Sequence, residues 1–138
     1  MKCMCKKMNG ESSNGNLRIE SLLKRHFPKQ IKPALFDLRY QLLYSAPGCL
    51  DVKENGHKVD ISVLLILVFH TDLYDEIKGL DNYRDYLQYV HALENETIDM
   101  KKNIDARKLL ISGQELYAVY ANVRNSSGKK SKNQLKAT

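Results

Sequence analysis

A chain of 138 residues carrying a net charge of +6 is long enough for one modest core and too short for two. With 43% hydrophobic and 28% charged residues it has an ordinary globular composition, which excludes wholesale disorder. The opening MKCMCKKMNGESSNG has no apolar h-region, so no secretory signal is expected, and the three cysteines (Cys3, Cys5 and Cys49) suit free thiols in a reducing, cytoplasmic or nuclear setting.

The charge is segregated. Residues 1–32 hold eight basic and two acidic side chains, residues 33–123 nine basic and fourteen acidic, and residues 124–138 five basic and none acidic. The pattern is an acidic body with basic ends. Residues 1–15 read as a basic, polar tail, 16–124 as a single α+β domain, and 125–138 as a basic low-complexity tail, both tails expected to be disordered.

Taken in chain order, Ile19, Leu22, Leu23, His26 and Phe27 share one helical face, with Pro28 as the stop. From Phe36 to Tyr44 the apolar period is two, which predicts a strand, followed by a turn at Ser45–Gly48. Asn55-Gly56 predicts a two-residue hairpin turn that sets Lys53 opposite Lys58 and Val52 opposite Val59. The run Ile61–Phe69 is apolar at every position but Ser62, as in a strand covered on both faces. Its nine residues would rise only about 14 Å as a helix, too short for a bilayer core of about 30 Å.

Two helices are predicted at residues 72–78 and 81–93, divided at Gly79, the second burying Tyr83, Tyr86, Leu87, Val90 and Leu93. ENETIDMKKN has no clear period. Strands at Lys108–Ile111 and Glu115–Val123 flank Ser112-Gly113. The resulting expectation is an α+β fold with a mostly antiparallel sheet of about five strands and two or three packed helices.

His70-Thr71-Asp72 follows the apolar strand, and an imidazole near Asp75 and Glu76 can act as a base or a metal ligand. The commoner outcome is that Thr71 or Asp72 caps a helix. The histidines show no metal-binding spacing, Cys3 and Cys5 have no second ligand pair, and no phosphate-binding loop or nucleophile elbow is present. No catalytic residue, metal or cofactor is therefore expected, and no small-molecule substrate is inferred. Tyr83, Tyr86 and Tyr89 can serve as stacking platforms, but a tyrosine-bearing helical face is more often core.

The expected function is non-enzymatic binding. Lys24, Arg25, Lys29, Lys32, Arg124, Lys129, Lys130 and Lys132 would contact nucleic acid, either RNA or non-specific duplex. The acidic body would then serve protein contacts or self-association as an oligomer. The alternatives are a structural or peripheral-membrane, matrix-like protein on anionic surfaces, and an adaptor or inhibitor that recognises another protein.

Overall fold

A computed structural model describes residues 13–124, with side chains from residue 15 onward. Helix α1 (Ser13–His26) is followed by a short 3-10 turn (Pro33–Asp37), helix α2 (Tyr40–Leu50), a small hairpin of β1 (Lys53–Glu54) and β2 (His57–Lys58), strand β3 (Val63–His70), helix α3 (Glu76–Ala92), and strands β4 (Glu94–Lys101), β5 (Ile104–Ile111) and β6 (Gln114–Arg124). The chain is α+β, as expected, with six strands in two sheets among the described residues. The main sheet has the order β3-β6-β5-β4; β4–β5 and β5–β6 are antiparallel and β3–β6 is parallel. No helix among the described residues is long and apolar enough to cross a membrane.

The core lies on one face of that sheet. Ile19 and Leu23 of α1, Leu42, Leu43, Ala46 and Leu50 of α2, and Tyr86, Tyr89 and Val90 of α3 form one buried cluster with Leu64, Leu109, Ile111, Leu116, Ala118 and Tyr120 from the strands. Strand alternation sends every second side chain to the other face, where no helix packs among the described residues.

Three local expectations are corrected. Residues 36–44 do not form a strand: Leu42, Leu43, Ala46, Pro47 and Leu50 fall on one helical stripe, and burying that stripe against α1 and the sheet outweighs the two-residue period. The residues read as a turn, Ser45–Gly48, lie inside α2, where Pro47 lacks the N–H that would bond the Leu43 carbonyl and is buried with Leu42, Leu43, Ala46 and Leu50. The helix after β3 is continuous through Gly79, and its cap is Asp75, whose carboxylate accepts from the N–H groups of Ile77 and Lys78 at 3.0 and 3.1 Å.

Among the described residues, strand β3 is covered on one side only. Val63, Leu65, Leu67 and Phe69 are 44–59% exposed, while Leu64 is buried. The Asn55-Gly56 hairpin has the expected register, Lys53 opposite Lys58, with positive φ at both turn residues, but pairs only two residues per strand. The same backbone recurs at Ser112-Gly113 between β5 and β6. ENETIDMKKN, left without an element from its sequence, is β4 together with the turn into β5.

His26 is a buried polar member of the helix–helix seam, 3% exposed. Its Nδ1 lies 2.8 Å from the Leu22 carbonyl, which can only accept, so Nδ1 carries the proton and Nε2 accepts from the Tyr89 hydroxyl at 3.0 Å. Burial lowers the His26 pKa, opposed by the Leu22 hydrogen bond and reinforced by the charge of Arg25. The folded chain therefore holds His26 neutral, whereas the unfolded chain takes up a proton below about pH 6.5. The stability this residue confers is complete above that value and is lost as pH falls below it. Urea midpoints measured at about pH 7 and about pH 5.5 should fall with acidification, and a His26→Gln variant should be less stable at neutrality but vary less across that interval. Equal pH dependence in the two proteins would contradict the assignment.

Candidate functional site

The parallel pairing of β3 and β6 brings their carboxyl ends to the same edge of the sheet, where β4 ends and β5 begins. The amino-terminal half of α3 passes over that edge. Between them is a cleft of about 270 Å³ lined by His70 of β3, Tyr74, Leu80 and Tyr83 around the start of α3, Lys101 to Asp105 at the β4–β5 turn, and Tyr120, Asn122 and Arg124 of β6. Ligands of open sheets are commonly bound outside strand carboxyl ends, and the volume is near the lower limit for small-molecule pockets, about 300 Å³.

One wall is aromatic. The His70 and Tyr74 rings stack with centroids 3.8 Å apart and planes 25° apart, and His70 Nε2 lies 3.1 Å from Asn122 Oδ1. With Nε2 donating to that oxygen, Nδ1 is left as an acceptor. Tyr74 is held from its other side by the backbone of α3, because the space a Cβ on Gly79 would need is occupied by the Tyr74 ring and hydroxyl. Gly79 thus stands in the first turn of α3, although glycine within a helix costs about 1 kcal/mol relative to alanine, because the ring packs where a side chain would otherwise stand.

The floor is a polar network. Arg107 grips Asp105 with two hydrogen bonds, Nε to Oδ1 at 2.8 Å and an NH2 nitrogen to Oδ2 at 3.1 Å; the two side chains are 6% and 4% exposed. The remaining guanidinium nitrogen donates to Asn95 Oδ1 at 3.2 Å and lies 3.3 Å from His91 Nε2. From above, the Tyr83 hydroxyl donates to Asp105 Oδ2 at 2.9 Å and Tyr86 donates to the Asp105 carbonyl at 3.3 Å. Burial and then the Asp105 hydrogen bond raise the Tyr83 pKa, so the phenol stays protonated and donating. The same order of causes, burial first and the Asp105 charge second, raises that of Tyr86.

The rim is cationic. Lys101 pairs with Asp99 at 3.1 Å in a largely exposed contact of little strength. Lys102 and Arg124 have no carboxylate within ion-pair distance among the described residues. Asp105, the single acid lining the cleft, is neutralised by Arg107. Among the described residues no group of three or more His, Cys, Asp or Glu is placed to hold a metal ion. The Asp75 carboxylate caps α3 through the N–H groups of Ile77 and Lys78.

The basic residues singled out from the sequence are not brought together. Arg124 stands at the cleft mouth. Arg25 is at the opposite end of the sheet, where its carbonyl accepts from the Ser112 hydroxyl at the β5–β6 turn. Strand β6 separates those ends by about 33 Å, at roughly 3.3 Å per residue. Arg25 is also engaged, donating to both Asp51 oxygens at 2.7 and 2.5 Å, which raises its own pKa and lowers that of Asp51. Lys24, Lys29 and Lys32 are exposed. Lys129, Lys130 and Lys132 lie outside the described residues.

Sequence reading missed Tyr74, Lys101, Lys102, Asn103, Asp105, Tyr120 and Asn122. The available signal was Lys102-Asn103 flanked by short alternating stretches, a hairpin in which Asp105 and Arg107 share a face with Leu109 and Ile111.

Residues 2–125 match the family described as "Domain of unknown function (DUF6946)", and the chain belongs to that family. No curated protein and no solved structure matches the chain.

The Gly79→Ala variant should drive Tyr74 off the helix and break its stack on His70. Proton NMR should show the His70 ring losing its aromatic ring-current shift while the fold persists. An unchanged His70 resonance would contradict the packing.

Proposed function

We propose that the protein is a non-enzymatic binder of single-stranded nucleic acid, RNA above all, with the cleft at the carboxyl ends of β3 and β6 as its principal contact. The supporting observation is that Lys101, Lys102 and Arg124 converge on the cleft that holds the stacked His70–Tyr74 pair. Cations beside a half-buried aromatic stack suit a chain of phosphates and bases: phosphate neutralisation supplies affinity, and the His70 face turned away from Tyr74 is the one left to accept a base with little sequence preference. Asn103 and Asn122 add amide groups for base edges or sugar hydroxyls. The cleft is small, so it takes one or two nucleotides while the strand continues across the cationic rim. The sequence following Arg124 carries Lys129, Lys130, Lys132 and Lys136, further positive charge for a polyanion.

Binding is favoured over turnover because the cleft's carboxylate is tied to Arg107 and Tyr83 and is not free to act as a base. Lys24, Lys29 and Lys32, about a sheet's length away, serve as a secondary contact for longer strands.

Affinity for a labelled single-stranded oligonucleotide should fall steeply with salt. Replacing Lys101, Lys102 and Arg124 together with glutamine should lower the slope of log K against log salt by about 2, from roughly 0.7 per phosphate contact. Replacing Lys24, Lys29 and Lys32 should have the smaller effect. Salt-independent binding, no binding, or loss of binding only in the second variant would overturn the proposal.

A further inference from the structure

We infer that the helix-free face of the main sheet is covered by a second copy of this chain, packed sheet on sheet about a twofold axis. Val63, Leu65, Leu67 and Phe69 of β3 project from that face, and the β3–β6 register sets them beside Tyr117, Val119, Ala121 and Val123. The β5–β6 register adds Ile104, Ala106 and Leu110. Leu65 and Phe69 are 56% and 59% exposed, and Ile104, Leu110 and Val123 are 37–38% exposed. With roughly 150–200 Å² for each fully exposed large apolar residue, these side chains leave on the order of 600 Å² of contiguous apolar surface, at the upper limit for a typical monomer. A standard interface takes about 800 Å² from each partner, so this patch with a narrow polar margin is the right size for one half of a stable dimer.

The distribution of charge favours a second copy over a different partner. In a twofold contact the same patch meets itself, so a patch with net charge would repel its mate. Here the outward side chains of β3, and those of β6 from Tyr117 to Val123, carry no charge, and it is only toward β4 that Lys108 stands between Glu96 at 3.3 Å and Glu115 at 3.7 Å. With Glu94 and Asp99 those acids make a net negative margin along the β4 side, which a twofold contact leaves at its rim and not at its centre. An apolar centre with a polar rim is the anatomy of a protein interface, and two twisted sheets with apolar faces pack about 10 Å apart. A cationic partner surface or an anionic lipid bilayer would instead call for net charge within the patch.

Light scattering of the full chain should give twice the 15.9 kDa chain mass at tens of micromolar protein. Leu65→Glu with Leu67→Glu should halve that mass without altering the circular dichroism spectrum, because both side chains point away from the core. The unaltered chain supplies an independent check, since its dimer should dissociate on dilution. A single-chain mass at the highest attainable concentration, or a dimer that survives both substitutions, would overturn the inference. So would a monomer that floats with anionic phosphatidylserine vesicles, which would assign the face to lipid.

Discussion

Asp105 and Arg107 stand two residues apart on the inner face of β5, beneath α3, with almost no solvent on either side chain. Two opposite charges in such a place are tolerated only when their remaining hydrogen-bonding capacity is also filled. Here it is: Tyr83 and Tyr86 come down from α3, while Asn95 and His91 close the far side of the guanidinium. The network therefore spans helix, strand and helix end. It sets the height at which α3 crosses the sheet, and that height defines the cleft between α3 and the strand ends.

The second constraint is the one-sidedness of the sheet. Three helices serve one face, and a chain of this length has no further element among the described residues to cover the other. Because side chains alternate along a strand, each inward Leu64 or Leu116 is matched by an outward Val63 or Tyr117. The outward set is apolar on β3 and uncharged on β6 from Tyr117 to Val123, whereas that on β4 is mostly charged. Cleft and bare face meet at β3, where His70 faces a polar opening and Phe69 faces solvent.

How legible this was from sequence differed by element. Helix α1 and the second half of α3 follow a clear helical period, and Asn55-Gly56 states its own turn. Helix α2 was misread because five alternating residues from Phe36 to Tyr44 imitate a strand; only tertiary burial of Leu43, Ala46 and Leu50 decides the matter. An unbroken apolar run such as Val63–Phe69 says that the strand is apolar on both sides, not that both sides are covered. The cleft was hidden for a different reason. Asp105 and Arg107 occupy core positions of β5, so the alternation that reveals a strand is disguised by two charges, and the convergence of Lys102 with Arg124 depends on pairings between distant segments. His70 was singled out correctly as a residue at a strand exit, yet its partners Tyr74 and Asn122 come from two different elements.

A double-mutant cycle at the buried pair addresses the central claim most directly. Stability would be measured by urea unfolding for the parent chain, Asp105→Ala, Arg107→Met and the combination. Each single substitution strands a buried charge and should cost about 3–5 kcal/mol, whereas the double variant should cost much less than their sum, with a coupling of about 2–3 kcal/mol. Additive losses, or a coupling near zero, would mean that the pair does not hold α3 to the sheet.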